Sequence, residues 1–156
     1  MKEMQVFKII AVYGVLASLA LFVILLFQLS SFEECLFRII NIGSIVTLAV
    51  CSAKLLKYIF KKHRPKHMAS VPEDSYAFPS AHASGLMALT FTTYQVSQQF
   101  FAYILIVSLL IMYARVRSRV HDVYDMIGGT VVAFVVTISL KEQVSYFSSY
   151  IIDFIL

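Results

Sequence analysis

Seven polar or ionisable residues lie in three short stretches of an otherwise apolar chain, and their types suit the handling of an oxyanion. In the first stretch Lys57 and Arg64 stand two helical turns apart, with Pro65 next, so both can face one side if the helix persists. A lysine point charge and a forked guanidinium complement each other on an oxyanion. Taken alone, a basic flank on an apolar helix is common, and attraction to anionic headgroups accounts for it equally well. The second stretch, Phe78-Pro79-Ser80-Ala81-His82, puts a hydroxyl, backbone N–H groups and an imidazole at a helix start, where the dipole favours an anion. His82 can donate a proton to a leaving oxygen there; a capping serine beside an interfacial histidine is the plainer reading. In the third stretch Arg115 precedes His121, and Asp125 follows four positions later at the start of a helix. A carboxylate on one ring nitrogen sets the tautomer and leaves the other nitrogen as nucleophile or base. A plain ion pair is the alternative, although an acidic residue this close to a membrane calls for a reason.

The elements that must position these residues are apolar helices. A first span is predicted from Ile9 to Leu29, too long for the apolar core of a signal peptide and lacking an A-x-A site, hence a retained helix. An acidic link, Ser30 to Glu34, leads to a second helix, Phe37 to Phe60, which turns basic from Lys54. Pro65 and Pro72 interrupt the polar connection from Lys61 to Phe78. A third helix is predicted over Ser80 to Val96, followed by a Ser97-Gln98-Gln99 turn and a fourth helix from Phe100 to Ala114. A basic link, Arg115 to Arg119, leads to the fifth, His121 to Leu140, whose Gly128-Gly129 allows a neighbour to approach closely. The tail from Lys141 to Leu156 reads as an amphipathic interfacial segment. The fold class is therefore all-α, a polytopic transmembrane bundle of about five spans forming one membrane-embedded domain over residues 1–156. With this alternation all three polar stretches emerge on the same membrane face.

Composition agrees. The 156 residues are 60% hydrophobic and 14% charged, with a mean hydropathy of +0.81, where soluble domains carry about 25% charged residues. The net charge of +4 is concentrated in the connections beside the spans, which favours anionic headgroups or a phosphate site. No base-stacking platform accompanies it, so a nucleic-acid partner is not expected. Cys35 and Cys51 would be roughly 24 Å apart along a helix, too far for a disulfide.

Order and spacing resemble the type 2 phosphatidic acid phosphatase (PAP2) superfamily, whose members share Lys-x6-Arg-Pro, Pro-Ser-Gly-His and Ser-Arg-x5-His-x3-Asp. Here these read Lys57 to Pro65, Pro79-Ser80-Ala81-His82, and Ala114-Arg115 to His121 and Asp125, and the resemblance covers about residues 54–140. It implies His121 as nucleophile, Asp125 as its orienting partner and His82 as general acid. Lys57, Arg64, Ser80, Ala81 and Arg115 would hold the phosphoryl oxygens, with no metal and no cofactor. The implied activity is phosphate release from a lipid phosphate or diphosphate through a phosphohistidine. Two positions depart from the pattern: Ala81 replaces a glycine, and Ala114 replaces a serine hydroxyl that would contact phosphate. The family bundle has six spans, one more than is read here.

The resemblance implies a bacterial cytoplasmic membrane with the site on its extracytoplasmic face. The positive-inside rule points the other way, because with five spans only Arg38 and Lys141 of the 13 Lys and Arg residues lie opposite the site. Undecaprenyl diphosphate, phosphatidic acid and phosphatidylglycerol phosphate all fit a membrane-embedded site, and the short connection between the first two motifs favours the first. A vanadate haloperoxidase of the same superfamily would be soluble. A catalytically silent lipid-binding scaffold would not need an oriented nucleophile. A phosphotransferase could use the same residues.

Overall fold

The computed structural model describes Ala20 and residues 31–63 and 76–155. Four helices occupy them: α1 (Phe32–Phe60), α2 (Ala81–Val96), α3 (Gln98–Arg117) and α4 (Val123–Ile155), with no strand among the described residues. The predicted span Ile9 to Leu29 lies outside them.

The helix boundaries follow from caps that hydropathy alone does not reveal. Ser31 caps α1, its side chain accepting from the Glu34 N–H at 3.4 Å, and Glu33 and Glu34 occupy the first turn, where the dipole favours acid. The predicted acidic link is thus largely the start of the helix, reinforced by the ion pair of Arg38 with Glu34 one turn on. Ser97 alone makes the turn between α2 and α3, in extended conformation, and Gln98 already belongs to α3. Arg115 and Arg117 sit in the last turn of α3 rather than in a link, where cations offset the negative helix end. The expected interfacial tail is continuous with the last span: α4 runs 33 residues without a break, because neither proline nor glycine interrupts it after Gly129.

Packing centres on α2, which contacts α1, α3 and α4, while α1 also contacts α4. Nine of its 16 residues are buried, so it is enclosed on most sides. Its threonine hydroxyls are satisfied within the helix: Thr90, Thr92 and Thr93 donate to carbonyls one turn earlier at 2.7–2.8 Å. Thr90 also meets Ser108 of α3 at 3.1 Å. Ile45 and Ala49 of α1, Met87 and Ala88 of α2, and Ala133 and Val136 of α4 form the main core. Large apolar side chains such as Leu55, Leu109, Tyr113, Ile127 and Phe134 remain exposed on α1, α3 and α4, as suits helices that face lipid.

Among the described residues, three helices are long and apolar enough to cross a membrane: Phe32–Phe60, Phe100–Arg117 within α3, and Val123–Ile155. The enclosed α2, at 16 residues, extends only about 24 Å, short of a hydrocarbon core of about 30 Å. Five spans are therefore not established; the described helices amount to three of spanning length and one shorter central helix.

Candidate active site

The three polar stretches meet at one end of the bundle, and the closest join is between α2 and α4. The backbone N–H of Ser80 donates to the carbonyl of Asp125 at 3.0 Å. Two glycines make room. A Cβ on Gly129 would lie 2.4 Å from the Ser80 carbonyl oxygen, and one on Gly128 would lie 2.3 Å from the Phe78 ring. The close approach expected of Gly128-Gly129 is thus made by the loop that leads into α2. Ser80 is fully buried and caps α2, its hydroxyl accepting from the Ala83 N–H at 3.3 Å. Ser84 then ties α2 to α1 by donating to the Ala49 carbonyl at 2.9 Å.

His121 Nδ1 and Asp125 Oδ2 stand 3.3 Å apart, with exposures of 4% and 1%. The pairing differs in origin from the one expected. His121 lies ahead of α4, not within it, and reaches Asp125 because a reciprocal cap closes the helix start. The Asp125 N–H donates to Asp122 Oδ1 at 2.8 Å, and the Asp122 N–H donates back to Asp125 Oδ2 at 3.1 Å. One carboxylate oxygen therefore serves both the helix cap and the imidazole. The Asp-x-x-Asp spacing was the available signal for this cap, and Asp122 went unremarked in the sequence.

The first stretch does not continue as helix. Lys61 adopts a left-handed conformation, φ 47°, and its N–H closes on the Lys57 carbonyl at 2.9 Å, so α1 stops before Arg64. The helix that carries Lys57 thus ends at Phe60, and Arg64 lies outside the described residues. Lys57 is half-buried and its ammonium donates to the Tyr76 carbonyl at 2.9 Å. Beyond the turn the Lys62 carbonyl accepts from the Ala77 N–H at 2.7 Å. The Lys62 ammonium reaches Asp125 Oδ1 at 2.8 Å and also pairs with the Asp122 carboxylate. Nothing in the spacing of this lysine singles it out in the sequence. Burial by itself would lower its pKa, but the hydrogen bonds to Asp122 and Asp125 and their negative charge outweigh that and hold the ammonium above its ordinary value. Burial would raise the Asp122 pKa. The Lys62 hydrogen bond, the Asp125 N–H and the Lys62 charge outweigh it and hold the carboxyl below its usual range.

The remaining predicted residues frame this centre. Arg115 is half-buried, with Nε shielded from solvent, and its carbonyl accepts from the Val120 N–H at 3.2 Å and the Ser118 hydroxyl at 3.1 Å. Those bonds, with Arg119 left-handed at φ 55°, fold the chain back from α3 toward His121. Ala81 is half-buried at the first position of α2. His82 is exposed beside a cleft of about 290 Å³ walled by Val46, Val50, Gly85, Leu86 and Leu89, with Lys54 also at its lining. Ala114 is buried and its carbonyl accepts from the Ser118 N–H at 2.9 Å. Among the described residues, no group of three or more His, Cys, Asp or Glu side chains is arranged to hold a metal ion.

The described residues thus form an all-helical bundle with helices long and apolar enough to cross a membrane, and a buried histidine–carboxylate pair set beside a helix start. The model of the PAP2 superfamily matches residues 38–149, and the chain belongs to that superfamily. Its members are phosphatase-type proteins, which places the chain at the coarse level among phosphoric ester hydrolases. No curated protein and no solved structure matches the chain.

Proposed function

We propose that the chain removes phosphate from a membrane lipid phosphate or diphosphate by way of a covalent phosphohistidine on His121. The observation that carries this reading is the buried His121–Asp125 pair, held at 3.3 Å beside the start of α2. With Nδ1 engaged by the carboxylate, Nε2 is the nitrogen left to attack phosphorus. In the first step the Nε2 lone pair forms the P–N bond as the P–O bond to the lipid breaks. The departing oxygen keeps that electron pair and takes a proton from the protonated His82. In the second step water attacks phosphorus and gives up a proton to the now neutral His82. The P–N bond returns its electrons to His121, leaving inorganic phosphate. Each histidine ends as it began.

Charge spread over the equatorial oxygens is met by Lys57, Arg64, Arg115, the Ser80 hydroxyl and the N–H groups at Ala81 and the start of α2. Lys57 donates to the Tyr76 carbonyl, and an ammonium carries three N–H donors in all. The cleft beside His82 is walled mainly by apolar side chains, which suits a leaving group whose tail stays in the bilayer. An undecaprenyl-diphosphate-like lipid is the preferred substrate, with phosphatidic acid and phosphatidylglycerol phosphate next. The family orientation, with the site on the extracytoplasmic face of a bacterial membrane, completes the reading.

The test is phosphate release by the detergent-solubilised chain from a panel of these lipids in EDTA, beside a His121→Ala variant. Release that survives chelation and disappears in the variant supports the reading. Release that the variant retains sinks it, and phosphate appearing only on an added lipid or sugar acceptor replaces hydrolysis with transfer.

A further inference from the structure

Lys62 joins all three polar stretches. It follows the turn that ends the first, its carbonyl accepts from Ala77 three residues before Ser80, and its ammonium lies against the carboxylate that holds His121. The two oxygens of Asp125 divide their work. Oδ2 receives the Asp122 N–H and stands 3.3 Å from His121 Nδ1, while Oδ1 receives Lys62 at 2.8 Å. Turning that carboxylate about its Cβ–Cγ bond would break the ammonium contact. So Lys62 sets the plane in which Oδ2 meets the imidazole.

We propose that Lys62 is a positioning residue for His121, acting through Asp125. The proposal rests on the reading of His121 as nucleophile. An ammonium held between two carboxylates directs its donors to them and is poorly placed to bind a phosphate. A positive charge on the far side of Asp125 works against a second proton on the imidazole. Asp125 contacts the imidazole directly and Asp122 is bonded to Asp125; the other charged or titratable groups on the segments that lead to the site are Lys57, Lys61 and His63 at the end of α1, His82 on α2, and Arg115, Arg117 and Arg119 at the end of α3. Of these, Asp122 and Asp125 pair directly with Lys62, so its removal perturbs the imidazole through them.

The experiment compares the full chain in detergent with Lys62→Met and Lys62→Arg. It reads the titration of His121 by nitrogen NMR of labelled histidine, assigned with His121→Ala, and steady-state kinetics on a short-chain phosphatidic acid. Lys62→Met is expected to raise the His121 midpoint by about one pH unit, as a unit charge several ångströms away does at an effective dielectric of about 20. It is also expected to lower kcat by about 10- to 100-fold, the usual effect of removing an outer orienting partner, with KM changed by less than roughly threefold. Lys62→Arg should recover most of both. An unchanged midpoint and kcat would overturn the proposal, and so would a rise in KM alone, which would make Lys62 a phosphate ligand. If Lys62→Met does not fold, Lys62→Met with Asp122→Asn removes one charge of each sign; wild-type kcat in that pair overturns the proposal. Phosphate release retained by His121→Ala would refute the nucleophile reading instead, and the NMR titration would still report whether Lys62 acts on His121.

Discussion

Gly129 lies against the carbonyl of Ser80 so closely that a methyl group would sit 2.4 Å from that oxygen. One turn earlier on α4, the Asp125 carbonyl receives the Ser80 N–H at 3.0 Å. The glycine therefore sets the distance at which the capped start of α2 stands from the His121–Asp125 pair.

Gly129→Ala should test this. Alanine gains about 1 kcal/mol of helix propensity over glycine, but overpacking against a backbone oxygen costs about 1–3 kcal/mol. Loss should exceed gain, because the added Cβ would also lie 2.8 Å from the Ala83 Cβ and 3.0 Å from the Ser84 nitrogen. A lower melting temperature and reduced phosphate release are expected. Gly128→Ala meets a phenyl ring edge instead, which can turn, so its effect should be smaller in both assays. Equal effects of the two would show that the Ser80 contact is not the sensitive one.

Asp125→Asn should lower kcat by roughly 10²–10⁴-fold, the range for loss of a group that organises proton transfer. It should also destabilise the chain, since Lys62 loses a charged partner at a buried position and a charge-assisted hydrogen bond is worth about 1.5–3 kcal/mol. Kinetics and thermal denaturation of the same preparation would separate these effects. A variant with reduced stability and intact kcat would confine Asp125 to the helix cap.

His82 is exposed beside the cleft, and its proposed work is to protonate the leaving oxygen. In single-turnover formation of the phosphohistidine, His82→Ala should therefore slow reaction of an alkyl phosphate by about 10²–10⁴-fold and spare a nitrophenyl phosphate, whose leaving oxygen needs no proton. Equal losses on both substrates would assign His82 to binding.

The Lys62–Asp122 pair makes stability depend on pH at both ends of the scale. Asp122 has its pKa depressed by folding, so its contribution is present above the ordinary carboxylate range and is lost as pH falls through the folded value. Lys62 has its pKa raised, so its contribution is complete below the ordinary lysine value and is lost as pH rises through the folded value. Melting temperature should be flat between these limits and decline beyond each. Lys62→Met should shrink both declines; unchanged declines would place the sensitive groups elsewhere.

Much of this protein was legible in its sequence. Long apolar runs set the helical class, and the start of α2 at Pro79-Ser80 and the end of α1 at Phe60 were read within a residue or two. Caps and apolar periods are short-range properties that neighbouring residues express by themselves. Local signals were overlooked where hydropathy was allowed to decide: Ser31 with Glu34 starts α1 inside the supposed link, and Asp122 with Asp125 caps α4.

Spacing also pointed to His121 and Asp125 as neighbours, although the pair is closed by the local Asp122–Asp125 cap, with His121 ahead of α4. The tertiary structure alone decided that α2 is the enclosed centre and that Ser80 is bonded to Asp125, 45 positions away. It alone carried the Lys62 ammonium across 63 positions to Asp125. Such pairs have no local period. They exist because the left-handed turn at Lys61 redirects the chain and because Gly129 lets two backbones approach, and both effects depend on the helices having packed.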